Sequence, residues 1–595
     1  MNFLLKHFDR VKGNPIVYNG RDMSYNVCYN RKTFTIRDSY ALISSKLENF
    51  PEMFKLESSI KEAFPYNYYT AENVKALSGC IQEAVELVKP LLKEQFIRNI
   101  DLIDGVKIDD EHFDMRKYAL FYCNQDVKIL REGFCKFRSD IIAALQLDCI
   151  ESLSISSLAD KYFKQKIYYP NGKLYEVSGI TLKNISMCIQ GGRCMTRDNE
   201  KQMSEGRALA DFDAVSLYPS AIKRLYVLEG KPKTIPKDWD GNYIIDHLFE
   251  DEQFEPTKER FISGFYVKIH IDEIGINRHY RVIVFNPAIN PDLPKNTKRS
   301  SNTCCCMWCD HITLMDLIKF QKIKFTLIGG YYHSGNRDVK CRDVIQHLFE
   351  MRLKYKKEDN PLQQVIKLIF NSIYGKTILK PIKHKHVFVS NDKAQAYYIK
   401  NYNDIIESVT INNGSLTRFK VIKPINNHFN FCPFGVNILS MSKRIMNEVF
   451  CLAEDLGMTI LYQDTDSGHF YADELDKLAD EFRKKYGREL IGKNLGQFHC
   501  DFVTITKDGS LPQAMKSIFL GKKSYIDLLV DDKNIAFHVR MKGITPNAIV
   551  NKANSMFHDA IPVGYKNGLY IPTENGGILG EYSIYLLYKY MYDCY

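Results

Sequence analysis

Two acids separated by a single residue, Asp464 and Asp466, carry the first hint of chemistry. They lie in Tyr462-Gln463-Asp464-Thr465-Asp466-Ser467, between the apolar, partly β-branched runs Met458 to Leu461 and Gly468 to Tyr471. That pattern predicts a hairpin with a polar, acidic tip. Like charges this close repel, and each raises the other's pKa unless a cation sits between them. Two divalent ions ~3.5 to 4 Å apart can activate an attacking oxygen and stabilise the leaving oxygen of a phosphoryl transfer. Taken alone, the same acids could simply solvate a turn, where Asp is common for its own hydrogen-bonding reasons.

Other stretches supply groups that would serve such a site. In Ala208 to Ser220 the pattern reads as a buried strand followed by a strand-to-helix transition, with Pro219 tolerated in the first helical turn,. Asp213 falls at the strand's end, where a loop can present a third carboxylate to a cleft. A helix predicted over Val344 to Lys357 sets Arg352 and Lys356 four apart on one face, although solvated basic faces are common. The helix predicted from Pro361 through Lys376 puts Leu362, Val365, Ile366, Ile369 and Ile373 on one side. Lys367, Asn371 and Tyr374 share the other, a cation, an amide and an aromatic ring of the kind that holds a triphosphate beside a base,. In Gly191-Gly192-Arg193 the glycines allow close backbone approach and Arg193 could reach a phosphate. Leu520 to Asp527 alternates as one strand with Lys523 and Tyr525 on one face, suited to a nucleic-acid backbone or to an ordinary sheet surface,.

The elements holding these groups belong to a chain of 595 residues with ordinary soluble composition, long enough for several domains,. Lys plus Arg number 81 against 71 Asp plus Glu, and the net charge of +10 favours a polyanionic partner,. No run reaches the roughly 18 apolar residues of a membrane span, and Phe3-Leu4-Leu5 is too short for a secretory signal, so no membrane partner and an intracellular site are expected. The 16 cysteines read as reduced thiols,. Cys304 to Cys309, with His311 beyond, contains one C-x-x-C; zinc there would need Cys341 or a folded-back His, against the alternative of a reduced, partly buried cysteine patch.

Before residue 150 the chain mixes β-type runs (Pro15 to Asn19, Thr33 to Arg37) with helical patterns (Val74 to Lys93, Met115 to Ala144), an α/β domain in which Tyr122 and Asp126 share a helix face,. The regions 225 to 335 and 378 to 430 read as irregular insertions. The first has strand-like runs at Phe265 to Ile271 and Arg281 to Phe285 and a basic loop from Asn290 to Ser301. Ser440 to Asp455 reads as a helix feeding the acidic hairpin,.

Over about residues 34 to 550 these stretches resemble the B-family DNA polymerases, most closely the protein-primed branch of phages, linear plasmids and polinton-like or virophage-like elements. The motifs occur in the family's order: D-x-x-S-L-Y-P-S at Asp213 to Ser220, K-x-x-x-N-S-x-Y-G at Lys367 to Gly375, Y-x-D-T-D-S at Tyr462 to Ser467, and K-x-Y at Lys523 to Tyr525. The resemblance implies a multidomain α+β (mixed α/β) right hand with palm, fingers and a reduced thumb behind an incomplete RNase H-like exonuclease domain. It divides the chain into a truncated exonuclease-like domain (1–165), a linker with the G-G-R motif (166–205), palm with a first insertion (206–340), fingers (341–377), a second insertion (378–430), palm (431–545) and partial thumb (546–595).

By the same resemblance Asp213 and Asp466 are metal-ligating carboxylates, the Ala214 carbonyl is a further ligand and Asp464 a supporting acid. Ser216, Leu217 and Tyr218 meet the nucleotide, Tyr218 as the steric gate against a ribose 2′-hydroxyl. Arg352, Lys356 and Lys367 hold the triphosphate, with Asn371 and Tyr374 at the nascent base pair. Gly191, Gly192, Arg193, Lys523 and Tyr525 contact DNA, and Tyr122 and Asp126 are an exonuclease remnant. The implied cofactor is Mg²⁺, two ions, with Mn²⁺ as substitute. The implied partners are primer-template DNA, dNTPs and a terminal protein; the implied location is the host cytoplasm, nucleus or mitochondrion of a viral or mobile element.

Three departures qualify the match. No D-x-E motif or N-x-x-(F/Y)-D-like motif precedes Tyr122, and Asp9 has the wrong spacing to replace them, so Met1 is expected to fall inside the exonuclease domain and no 3′–5′ exonuclease activity is expected. Ile189 stands where relatives often have Tyr. The tyrosine-rich stretch Tyr582 to Tyr595 stands where a β-rich thumb usually continues, which predicts poor processivity. A reverse transcriptase or RNA polymerase also uses palm aspartates, but D-T-D-S with the S-L-Y-P-S tyrosine favours DNA synthesis from dNTPs. A catalytically inactive nucleic-acid-binding remnant is the alternative from another class.

Overall fold

The computed structural model describes residues 10–18, 21–56, 63–249, 259–284, 300–379, 384–411, 414–422, 430–502, 513–531 and 534–541. The chain divides into two units, one of 1–166, 347–376 and 380–428, the other of 167–346, 377–379 and 429–595. Both mix helices and strands, as the expected fold class requires. The expected thumb (546–595), Tyr582 to Tyr595 and Asp9 lie outside the described residues.

In the first unit an antiparallel sheet joins the strands Arg10–Tyr18, Arg21–Tyr29 and Lys32–Arg37. The helix expected from Met115 runs unbroken over Met115–Leu145, begun by the Asp114 carboxylate, which accepts from the Lys117 N–H at 2.9 Å,. The helix expected over Val74 to Lys93 is instead broken. Leu77 is left-handed, Ser78–Cys80 pairs as a strand with His112–Asp114, and Pro90 opens a separate turn before the helix Lys93–Leu102. A side chain at Gly79 would meet the rings of Phe113 and Tyr68 at 2.8 and 2.9 Å, so the glycine is what lets the strand backbone pass close under two aromatics,.

The helix Leu362–Thr377 forms where expected, and the helix expected from Val344 begins four residues earlier, as Lys340–Lys357. Leu362, Val365, Ile366, Ile369 and Ile373 are all buried, with Phe370 beside them, while Lys367 is exposed. The described residues of 378–430 are mostly in regular elements, contrary to expectation. His384–Ser390, Leu416–Ile422 and Ile405–Ile411 make a sheet in that order, and Tyr397 of the helix Asn391–Asn401 packs on Val387, Phe419 and Val421.

The second unit is built on an eight-stranded sheet. From one edge its order is Asn534–Met541, Ser524–Asp531, Gln513–Gly521, Gln202–Ala214, Ser467–Tyr471, Ile460–Asp464 and Cys194–Thr196, with Phe498–Cys500 also pairing to the end of Gln202–Ala214. Against it packs the helix Cys432–Asp455, which begins eight residues before the expected Ser440 and buries every residue except Arg444, Glu454 and Asp455. Its buried charges are paired: Glu448 accepts from Arg224 at 2.8 and 2.9 Å and from Arg488 at 2.6 Å, and Lys443 donates to the Gln190 carbonyl,.

Region 225–335 is also more regular than expected. Cys306–Asp310, Gly264–Ile274, Ile323–His333 and Lys233–Thr234 form a second sheet under the helix His311–Gln321. The strand expected over Arg281 to Phe285 is reduced to one isolated bridge, Val284 to Ser300, and the loop 285–299 lies outside the described residues.

Candidate active site

The acidic hairpin forms as its alternation predicts. Ile460–Asp464 and Ser467–Tyr471 pair antiparallel, Asp464 faces Ser467, and Thr465 and Asp466 make the turn. Thr465 sits at φ 63°, a conformation costly for a β-branched residue, so the turn must be held from outside,. The Thr465 N–H donates to the Arg193 carbonyl at 2.7 Å and the Asp466 N–H to the Asp464 carbonyl at 2.7 Å. A side chain at Gly192 would lie 2.8 Å from Thr465 Cγ2, so the glycine is what lets the two backbones approach,.

Asp213 joins this tip through the sheet. Ser467 faces Asp213 across one strand boundary and Asp464 across the other, and the Ala214 N–H donates to the Asp466 carbonyl at 2.8 Å. Burial, then the charges of Asp466, Asp501 and Asp211, push the Asp213 carboxyl up to about 8. Burial and the Asp464 charge push Asp466 up to about 6, against the pull of its own backbone N–H. Asp464 Oδ1 is buried without a hydrogen-bond partner and lies 3.3 Å from Lys523 Nζ. A divalent cation would offset each of these costs. The donors are carboxylate oxygens and a backbone carbonyl, with no thiol or imidazole among them, and that set fits Mg²⁺.

Arg193 does not face solvent. Only 5% exposed, its guanidinium donates to Gln463 Oε1 at 2.9 Å and to the Tyr280 and Arg281 carbonyls at 2.8 and 3.0 Å, over the Phe450 ring. The expected phosphate contact is therefore replaced by a brace behind the turn, because carbonyls and an amide surround the cation. Gly191 has open space where a side chain would be.

Lys523 and Tyr525 do not lie on one strand. Gln513–Gly521 and Ser524–Asp531 form a hairpin whose turn contains Lys522 and Lys523, the latter at φ 53°. The Lys523 N–H donates to the Tyr462 hydroxyl at 2.9 Å and the Lys523 side chain is exposed. Tyr525 is 3% exposed and packs against Tyr462 and Phe519, so its ring braces the turn rather than meeting DNA.

Ser216, at φ 51°, ends the Asp213 strand and precedes the helix Leu217–Lys223. The Ser220 hydroxyl donates to the Val215 or Ser216 carbonyl, both at 2.9 Å, fixing this bend. Tyr218 is half-buried, but Leu217 is buried in the core, so its side chain is not available to a nucleotide.

Arg352 and Lys356 lie on one helix of the first unit and Lys367, Asn371 and Tyr374 on the next, whereas the acids belong to the second unit. Tyr122 and Asp126 are half-buried on the long helix of the first unit, Tyr122 bonded to the Tyr66 hydroxyl and against the Phe64 ring. The cysteine run does not gather. Cys309 is in the core, Cys304 is exposed, and buried Cys341 has Sγ directed to the Leu225 carbonyl at 3.5 Å.

Sequence reasoning missed Asp501, whose charge acts on Asp213, and the group of buried Asp211, His469 and Asp527 with half-buried His538 beside the acids. The alternation of apolar and polar residues in Leu209 to Asp213 was the available signal: it puts Asp211 on the same face as Asp213.

Known proteins bear on this geometry. The family "DNA polymerase type B, organellar and viral" matches residues 1–451. A DNA polymerase of Kluyveromyces lactis is 22% identical over 569 residues, covering 90% of this chain and 51% of that protein. A probable DNA polymerase of Podospora anserina is 21% identical, covering 95% of this chain and 45% of that one. The chain thus spans about half the length of the curated relatives it matches. Phi29 DNA polymerase complexed with primer-template DNA has a TM-score of 0.55 at 16% identity, covering 96% of this chain and 84% of that one. Its ternary complex with incoming nucleotide gives 0.56 at 18% identity, with 91% and 79% covered. These likenesses show a shared fold.

Among the described residues, no helix is long and apolar enough to cross a membrane.

Proposed function

We propose that this chain, which belongs to the organellar and viral type B DNA polymerases, is a DNA-directed DNA polymerase that adds dNTPs to a primer 3′-hydroxyl or a terminal-protein hydroxyl. The observation that carries this reading is the register that sets Asp213 and Asp464 on either side of Ser467 with Asp466 in the adjoining turn. Primer-template DNA and incoming nucleotide, named for the phi29 complex, are the proposed partners here.

Asp213, Asp466 and the Ala214 carbonyl would hold Mg²⁺, two ions with Mn²⁺ as substitute, which would supply Lewis-acid polarisation of the attacking hydroxyl and the leaving phosphate oxygens. Asp464 pairs with Lys523 at 3.3 Å, and the exposed Lys523 ammonium would turn to the phosphates of the primer strand when DNA binds. Tyr218, in the first turn of the helix that follows the Asp213 strand, is the gate against a 2′-hydroxyl. Arg352, Lys356 and Lys367 take the triphosphate, with Asn371 and Tyr374 at the new base pair; cations of this kind act by charge-assisted hydrogen bonds to phosphate. In domain terms 206–340 and 431–545 are palm, 341–377 fingers, 166–205 linker, and 1–165 an exonuclease-like domain. The 378–430 sheet is proposed to meet a terminal protein.

The test is primer extension by the purified chain on a primed single-stranded template with Mg²⁺ and dNTPs. Extension is expected, and Asp466→Ala should abolish it while leaving DNA binding. DNA binding without extension by the intact chain would support the inactive remnant instead.

A further inference from the structure

Beside the proposed catalytic acids lies a cluster that the polymerase reading does not use. Asp211 faces His469 on the neighbouring strand, and Asp527 faces His538 across the next hairpin. The Asp527 Oδ2 atom lies 3.3 Å from His469 Nε2 and 2.9 Å from His538 Nδ1, while His469 Nδ1 lies 3.8 Å from Asp211 Oδ1. Donor atoms of Asp211, His469 and His538 all come within 4.8 Å of one another. His469 and Asp527 are 0% exposed and Asp211 is 6% exposed.

Ordinary hydrogen bonding does not satisfy this group. Asp211 Oδ1, His469 Nδ1 and Asp527 Oδ1 are all buried without a hydrogen-bond partner. The His469 Nε2–H is donated to Asp527, and against burial the Asp527 and Asp211 charges favour a protonated ring, yet at 3.8 Å its Nδ1 falls short of a hydrogen bond to Asp211 Oδ1. Both atoms stay unbonded away from water, and each buried unmade bond costs about 1–3 kcal/mol. A metal ion between them would displace any Nδ1 proton and turn their lone pairs into ligand bonds. Two imidazoles with carboxylate oxygen are the donors of zinc-class metals, which bind N and O at about 2.0–2.2 Å, and unlike the all-oxygen set around Asp213 they do not suit Mg²⁺.

We propose that Asp211, His469 and His538 form a zinc-class metal site, with Asp527 orienting both imidazoles or completing the coordination. The ion staples three strands of one sheet: the strand ending in Asp213, the strand leading from Asp466, and the edge strand Asn534–Met541, which pairs with the hairpin whose turn carries Lys523. It is a structural centre behind the active site and is independent of the polymerase chemistry.

Cobalt(II) titration of the chelator-stripped full chain tests this, followed by visible absorbance in excess Mg²⁺. One equivalent should give tetrahedral d–d bands without a thiolate charge-transfer band, Zn²⁺ should displace it, and Cys306→Ser should leave the spectrum unchanged. His538→Gln, at a part-exposed position, should weaken binding beyond the about 10- to 100-fold typical of losing even an outer partner. Zn²⁺ should also raise the wild-type thermal midpoint, a readout that needs no variant to fold. Absent d–d bands, a thiolate band, a spectrum that survives His538→Gln, or a midpoint unmoved by Zn²⁺ would each overturn the proposal in favour of a hydrogen-bonded cluster around a protonated imidazole.

Discussion

Replacing Asp213 by Asn should make the metal-free protein more stable while ending primer extension. Burial and neighbouring acids raise this carboxyl from 3.8 to about 8. Between those values the folded chain keeps a proton that the unfolded chain releases. Stability from this group is therefore fully present below about pH 4 and is lost as pH rises through the window. At about 1.4 kcal/mol for each decade of proton concentration, the loss by pH 7 has a ceiling of about 4 kcal/mol. Dielectric relaxation around a part-buried acid brings that to about 1–3 kcal/mol. Asn keeps the shape and carries no charge. Thermal unfolding in EDTA should show the variant melting above wild type by a few degrees at pH 7, with the gap narrowing at pH 5. Saturating Mg²⁺ should raise wild type alone, by mass action, and close the gap. A variant no more stable than wild type in EDTA at pH 7, or equal Mg²⁺ stabilisation of both, would refute the claim that crowded acids await a cation.

Gly192→Ala forces a methyl to within 2.8 Å of Thr465. It should cost about 1–3 kcal/mol and slow single-turnover extension by shifting the Asp466 turn; unchanged single-turnover rates would show that the close approach is dispensable. Arg193→Met should lower stability by about 3 kcal/mol through the lost charged hydrogen bonds, yet leave the salt dependence of DNA binding unchanged. A phosphate contact would instead lower that slope by about 1. Tyr218→Val should relax discrimination against ribonucleotides in misincorporation assays, and ribonucleotide rejection equal to wild type would remove this residue from the gate.

Periodicity over a few residues carried the reading a long way. The alternating runs around Asp464 and Asp466, the strand ending at Asp213 and the stripe from Leu362 to Ile373 are local patterns, and each element formed where its pattern put it. Long-range pairing was beyond such reasoning. Gly264–Ile274 finds its partner in Ile323–His333, and Leu416–Ile422 pairs on both edges, so regions that read as irregular became sheets. Gly79 shows tertiary contact overriding a helical pattern. Arg193 and Tyr525 show that residue type names a charge or a ring but not the direction it faces. The Asp211 cluster was hidden because its members come from four strands.

The pairing of Ser467 with Asp213 joins stretches about 250 residues apart, and contacts of such separation are slow to form,. During synthesis the earlier strand leaves the ribosome well before its mate exists. At roughly 5–20 residues per second the wait is of order tens of seconds. Nascent chains that stall before Tyr471 therefore cannot possess a working centre, and the apolar faces flanking Asp213 need shelter until the later strands arrive.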